Sequence, residues 1–409
     1  MRSFEENLDL YARLAIQVGL HLREGQRLSV SAPLQSVEYV RRLVREAYAA
    51  GAYDVHVDWR DDQVSLTRYE MAPDAALEDV PSWAVERFET LVAQRAAHLS
   101  VAAPTPNLFQ GVDPARLAKA TRANRQATRK ANEERLAKTN WLIISPATRQ
   151  WAAQVYPDEP GEEGVAHLWE TIFHLCRLDL EDPIAAWRQH IDDLRRRADF
   201  LNRHAFRRLR YAGPGTDLTV ELPARHHWQT AEMPDEAGTP YVANIPTEEA
   251  FTAPQRDGVN GTVRASMPLN YNGVTVENIR LELRHGEIVR YDADRGTEAL
   301  RSIIESDEGS RRLGEIALVS QESPIARSGR LFYNTLYDEN ASCHIAIGAA
   351  VPFCIEGGTG MSDEQLLAEG ANRSMTHVDF MIGSDELDVI GEGADGEEVP
   401  LLRKGRWAF

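Results

Sequence analysis

The segment LSVSAPLQSVEYVRRLVREAYAAGAYDVHVDW, residues 28–59, decides the fold of the first half of the chain. Leu28–Ala32 (LSVSA) places apolar residues at alternate positions and predicts a strand. Val37–Ala50 repeats its apolar residues with a helical period, and Gly51 stops it. Tyr53–Trp59 (YDVHVDW) alternates like a second strand. Further along, helical patterns cover Trp83–Ala97 and Pro114–Ala137. Asn140–Ser145 (NWLIIS) is an apolar strand, and helices are expected over Gly164–Leu175 and Ile184–His204. Strands alternating with helices predict an α/β domain with a mostly parallel sheet.

The texture changes after about Ala205. Short alternating runs such as DLTVEL (Asp217–Leu222) are separated by Gly, Pro and Asn. IRLELRHGEIVRYDA (Ile279–Ala293) predicts a hairpin turning at His285-Gly286. Helix returns at Thr297–Ser306. The expected organisation is an α/β N-terminal domain over residues 1–190. An α+β C-terminal domain with a largely antiparallel sheet follows over residues 191–409.

Composition narrows the function classes. The 409 residues carry a formal net charge of −18, from 63 acidic and 45 basic side chains. Apolar residues make up 43% and charged residues 26%, ordinary values for a folded soluble protein. The acidic balance counts against a nucleic-acid binder, which needs clustered Lys and Arg. The basic run Arg195-Arg196-Arg197 shares its helix with Asp192, Asp193 and Asp199, and is expected to be a solvated face. The three cysteines, Cys176, Cys343 and Cys354, form no C-x-x-C and no disulfide framework. The first ten residues lack the apolar centre of a signal peptide, and no run is long enough to span a bilayer. A cytoplasmic location without membrane contact is therefore expected. In that compartment the Asn260, Asn340 and Asn372 glycosylation patterns have no meaning.

Several pattern matches fail on their context. Gly391-Glu-Gly393-Ala-Asp-Gly396 fits G-x-G-x-x-G, but Glu397, Glu398, Val399 and Pro400 follow, so no helix opens to receive a phosphate. A hairpin turn is expected instead. His226-His227 would point to opposite faces of a strand and makes a poor metal pair. H-E-x-x-H, G-x-S-x-G and Walker patterns do not occur.

Four C-terminal pieces carry the chemistry. They are Asn244-Ile-Pro-Thr-Glu248-Glu249-Ala-Phe-Thr-Ala-Pro254, Gly314-Glu315-Ile-Ala-Leu-Val319, Leu336-Tyr-Asp-Glu339-Asn-Ala-Ser-Cys-His344-Ile-Ala-Ile-Gly348, and His377-Val-Asp379-Phe-Met-Ile-Gly383. Each sets a carboxylate or imidazole at the edge of an apolar, strand-like run. Burying such groups unpaired costs several kcal/mol, so either they pair with cations or something else neutralises them. His377 and Asp379 share a strand face at i and i+2. That spacing suits a pair of metal ligands, an oriented His–Asp hydrogen bond, or a stabilised His on a half-exposed strand. Glu315 alone could be exposed, Glu248-Glu249 could be loop charge, and the spacing of Glu339 and His344 has no fixed meaning.

At these residues the chain resembles the thermophilic-type (M29) metallo-aminopeptidases. The resemblance runs from FEENLDLYARLAIQVGLHLREGQ near the start to HVDFMIGSDELDVIG. Its specific part is NIPTEEAFTAP, GEIALV, DENASCHIAIG and HVDFMIG, in that order. The resemblance implies a cytosolic enzyme acting on short peptides from the amino end, and a homodimer whose walls enclose the site. It implies two divalent metal ions, zinc, cobalt or manganese, held by Glu249, Glu315, Glu339, His344, His377 and Asp379, with Glu315 bridging. Such ions lower the pKa of a shared water and polarise the scissile carbonyl.

One position departs from the family pattern. The expected catalytic tyrosine, seven residues after His344, is Val351. A missing oxyanion donor typically costs ~10²–10³ in turnover. Tyr333 or Tyr337 could substitute, activity could be weak, or the substrate could differ. The alternative is an iron-dependent ring-opening dioxygenase of dihydroxypyridines, using His344, His377 and Asp379. The intact Glu249, Glu315 and Glu339 argue against it, because one metal would leave them without a cation. They also argue against a non-catalytic peptide- or metal-binding protein. Cys343 and Cys354 are expected to be small buried residues rather than ligands.

Overall fold

The structure, a computed structural model, describes residues 2–409 except Asn272. Two compact units emerge. One comprises residues up to Ile191 together with Ala231–Thr247; the other comprises Asp192–Thr230 and Glu248–Phe409.

The first unit is built on a parallel sheet with strand order Asp54–Arg60, Arg27–Pro33, Ala97–Val101, Trp141–Ile144. Parallel neighbours need crossover connections, which helices such as Val37–Ala49, Ser82–Ala93 and Pro114–Lys138 supply. Leu28, Val30, Ala32, Leu99, Val101, Leu142 and Ile144 are buried in its core. The strand Ala97–Val101 (AHLSV) lies partly where the periodicity continued a helix. That helix ends at Ala93, and Arg95 adopts a left-handed φ of 54°, which turns the chain into the sheet.

The later segment Ala231–Thr247 closes the open edge of this sheet. Ile143 donates its N–H to the Ala243 carbonyl at 2.8 Å and accepts from the Ile245 N–H at 3.1 Å. Edge groups left unpaired would be a liability, so this pairing gives the return a physical reason. A boundary drawn near residue 190 must admit this one return.

The second unit contains two main antiparallel sheets beside the two-stranded pair Leu269–Tyr271 and Val274–Val276. The larger has eight strands, in the order Glu287–Asp292, Arg280–Arg284, Val259–Arg264, Thr216–Glu221, Arg208–Gly213, Asp388–Glu392, Glu398–Arg403, Arg406–Trp407. The hairpin 280–292 turns at His285 (φ 49°) and Gly286 (φ 76°). A Cβ at Gly286 would meet the Arg256 carbonyl oxygen at 1.8 Å, so only glycine fits there. The G-x-G-x-x-G run joins the paired strands Asp388–Glu392 and Glu398–Arg403 and forms a hairpin.

The four-stranded sheet carries most of the candidate ligands. Its order is His377–Met381, His344–Gly348, Leu313–Leu318, Ala250–Thr252, all antiparallel. Strand alternation sorts its two faces. Ile316, Leu318, Ile345, Ile347, Val378 and Phe380 join one apolar core with Leu209, Leu218 and Val263 of the larger sheet. Glu315, Ala317, His344, Ala346, His377 and Asp379 therefore turn to the opposite face.

Candidate metal centre

Cross-strand register brings together residues far apart in sequence. Ala346 stands opposite Glu315 on one side and Asp379 on the other, and its small side chain leaves space between the two carboxylates. Gly348 stands opposite His377 with φ 108°; a Cβ there would meet the Thr376 carbonyl oxygen at 2.1 Å. Glu249 immediately precedes the edge strand Ala250–Thr252.

Two three-residue groups could each hold a cation, Glu249–Glu315–His344 and Glu315–His377–Asp379, and Glu315 belongs to both. His344 Nε2 lies 3.1 Å from Glu249 Oε2 and 3.6 Å from Glu315 Oε1. His377 Nε2 lies 3.4 Å from Asp379 Oδ1 and 3.9 Å from Glu315 Oε2. Glu339 joins neither group, although its carboxylate feels the charges of Asp379, Glu249 and Glu315.

Both imidazoles are oriented by the main chain. His344 Nδ1 donates to the carbonyls of Glu339 (2.9 Å) and Ser342 (3.2 Å), and His377 Nδ1 donates to that of Ala349 (2.8 Å). A carbonyl can only accept, so the Nδ1 proton is fixed and each Nε2 faces the carboxylates. Glu249 Oε2 and Asp379 Oδ1 are buried and make no hydrogen bond. Buried carboxylate oxygens, each beside an imidazole nitrogen, fit a bound divalent cation.

The electrostatics describe the same compensation. Burial pushes the Glu315 carboxyl above its ordinary range, partly offset by His344 and His377. Burial and the nearby Asp379 and Glu249 carboxylates push Glu339 well above it. Burial alone would lower the imidazoles. Glu249 and Glu315 instead hold His344 well above its usual value, and Asp379 with Glu315 carries His377 up to about 10. Asp379 is lowered despite its burial, chiefly by His377. The imidazolium charges sit where a metal ion would otherwise balance the carboxylates.

Apolar residues adjoin the polar face. Phe251 and Ala317 pack with Ala350, Cys354 and Ile355, against half-buried Val351, Phe353 and Met361. Val351 offers no hydroxyl. Tyr337 is fully buried against Phe332, whereas Tyr333 is half-buried with φ 54°. The cysteines are free and buried, and the Cys343 Sγ is engaged with Val319. Among the described residues no cysteine, and neither His226 nor His227, joins a ligand group. Arg195 and Arg196 pair with Asp192 and Asp193 on their own helix. Asn340 and Asn372 have no exposed surface. Among the described residues no helix is long and apolar enough to cross a membrane.

Asn340, which the sequence marked only as a glycosylation pattern, links two of these segments. Its Oδ1 accepts the Glu248 N–H at 2.7 Å and its Nδ2 donates to Glu339 Oε1 at 3.5 Å. Its place directly after Glu339 is the one signal that could have drawn attention to it.

Comparison with known proteins places the whole chain. The model of the family described as Thermophilic metalloprotease (M29) matches residues 4–407. Aminopeptidase 2 of Geobacillus stearothermophilus is 43% identical over 410 residues, covering 100% of this chain and 99% of the relative. Aminopeptidase T of Thermus aquaticus is 43% identical over 412 residues, covering both chains fully. The solved structure of wild-type AmpT from Thermus thermophilus superposes with a TM-score of 0.92 at 41% identity, with both chains covered fully. The 2,5-dihydroxypyridine dioxygenase from Pseudomonas putida KT2440 has a TM-score of 0.53 at 13% identity, covering 100% of this chain and 98% of that one. That likeness shows the fold alone and does not favour the ring-opening alternative. Full-length identity above 40% to aminopeptidases, and the family match from end to end, agree that the chain belongs to the thermophilic metalloprotease (M29) family.

Proposed function

We propose that this protein is a metal-dependent aminopeptidase that releases amino-terminal residues from short peptides. The observation that carries the proposal is the pair of carboxylate–imidazole groups sharing Glu315 on one sheet face. Glu249, Glu315, Glu339, His344, His377 and Asp379 would hold two divalent cations, zinc, cobalt or manganese, within the C-terminal domain, residues 191–409. When bound, the cations supply a water of lowered pKa and polarise the scissile carbonyl.

The chain's own residues prepare that chemistry. The Nδ1–H bonds to main-chain carbonyls keep each Nε2 aimed at the site. Glu315 presents one oxygen toward each imidazole. Glu249 Oε2 and Asp379 Oδ1 supply buried oxygens with no competing hydrogen bond. Phe251, with half-buried Phe353 and Met361 beside it, belongs to an apolar cluster that also includes Ala317 of the polar face. We further propose a cytoplasmic homodimer, in line with the family resemblance.

The test is elemental analysis of the purified protein, combined with hydrolysis of aminoacyl chromogenic substrates with zinc, cobalt or manganese added. Two equivalents of metal with amino-terminal cleavage are expected. Two equivalents without cleavage would sink the activity and spare the site; one equivalent of iron would revive the dioxygenase.

A further inference from the structure

The segments bearing Glu249 and Glu339 lie outside the strand ladders. Glu248 and Glu249 precede the strand Ala250–Thr252, and Glu339 opens the short turn Glu339–Ala341. Without a ladder, something else must fix their separation. Asn340 touches both. It is 0% exposed. Its Oδ1 accepts the Glu248 N–H at 2.7 Å. Its Nδ2 donates to the Leu336 carbonyl at 3.0 Å and reaches Glu339 Oε1 at 3.5 Å. Its own carbonyl accepts from Ser323 Oγ at 3.1 Å. One planar amide thus ties the main chain just before Glu249 to the carboxylate of Glu339, across 92 residues of sequence.

The side-chain type matters. Only an amide offers an acceptor on one atom and a donor on the other at this size. Leucine would fill the volume but strand the Glu248 N–H and the Leu336 carbonyl. Aspartate would turn the donor into an acceptor facing Glu339.

We propose that Asn340 is a positioning residue that sets Glu249 relative to Glu339, and through them the affinity and coordination of the metal centre. The inference rests on the ligand set proposed above. Groups that orient metal ligands typically change affinity or activity by ~10–100-fold when removed.

The test uses the full chain, stripped with chelator and titrated with cobalt(II) while its visible absorption is followed. Wild-type protein, Asn340→Ala, Asn340→Ser and Ser323→Ala are compared, with circular dichroism as the fold check. Ser323→Ala removes a hydrogen bond to Asn340 without touching either glutamate. Wild-type protein is expected to bind two equivalents, and Ser323→Ala to match it. Asn340→Ala should bind at least one cobalt ~10–100-fold more weakly, with a changed d–d band. Asn340→Ser, able to keep one hydrogen bond, should fall between. Folded Asn340 variants with wild-type affinity and spectrum would overturn the proposal. So would Asn340 variants recovered only as unfolded chain, or a Ser323→Ala spectrum changed to the same degree. Wild-type protein that takes up no cobalt would remove the ligand set itself, a distinct result.

Discussion

The molecule contains two four-stranded sheets of opposite character. The parallel sheet of the first unit buries Leu28, Val30, Leu99, Leu142 and Ile144, and the polar residues between them, Ser29, Ser31, His98 and Ser100, include no carboxylate. In the antiparallel site sheet, the strands Leu313–Leu318 and His344–Gly348 are buried at every position, yet they include Glu315 and His344. A charge taken out of water is costly unless it is paired. The first sheet avoids that cost by composition; the second accepts it and assembles the compensating charges on one face. Burial that conflicts with residue type therefore marks the site, and burial that agrees with it marks structure.

Carrying the polar feature into the first sheet should break the fold. Val30→Glu places a carboxylate where no cation waits and should cost more than ~3 kcal/mol, read as a lowered urea midpoint. The reciprocal change, Glu315→Gln, should leave the circular dichroism spectrum intact while turnover falls by ~10²–10³ or more, since it disarms the residue common to both groups. Full activity in Glu315→Gln would remove its shared role. Val351→Tyr adds a phenol beside Phe353 and Met361 and should raise turnover by ~10-fold, part of what one oxyanion donor supplies. An unchanged rate would assign the donor to another group.

The pH responses of the two sheets should also run in opposite directions. In chelated protein, His377 is raised to about 10. The folded state then holds a proton that the unfolded state releases near the ordinary value of ~6.5. The stability it contributes is fully present below ~6.5 and is lost as pH rises toward about 10. Thermal melts in chelator should show Tm falling over that window, and saturating metal should flatten the fall. In the parallel sheet, burial, aided by the Arg135 charge, lowers His98 to about 3. Here the unfolded state gains the proton first, so stability falls as pH drops from ~6.5 toward about 3. His98→Gln should flatten that acid limb; an unaltered limb would show that His98 does not govern it.

Much of this was legible in the residues. The period-two run of Ile279–Ala293 specified its hairpin, and His285-Gly286 specified the turn. The pieces around Glu249, Glu315, His344 and His377 stood out through the family resemblance; on pattern alone Glu315 could be exposed and Glu248-Glu249 loop charge. Other features leave no such mark. Ala97–Val101 is only five residues long and follows a helix whose end depends on one backbone angle at Arg95. The return of Ala231–Thr247 depends on main-chain groups of Ile143 that any residue carries. Glu339 shares a motif with His344, but its place beside the two groups rather than within them is a tertiary fact. The carbonyls that orient His344 and His377 have no letter in the sequence.

Those carbonyls should make the orientation of both imidazoles insensitive to neighbouring side chains. An imidazole steered by a neighbouring Asp or Glu can be lost through a substitution at that neighbour. One steered by the peptide backbone survives nearly any side-chain replacement that preserves the local chain path. Substitutions at Val351, Phe353 and Met361 should therefore leave the orientation of His344 and His377 unchanged. A library randomised at those three positions should retain cobalt uptake in most members while their preferred amino-terminal residue diverges.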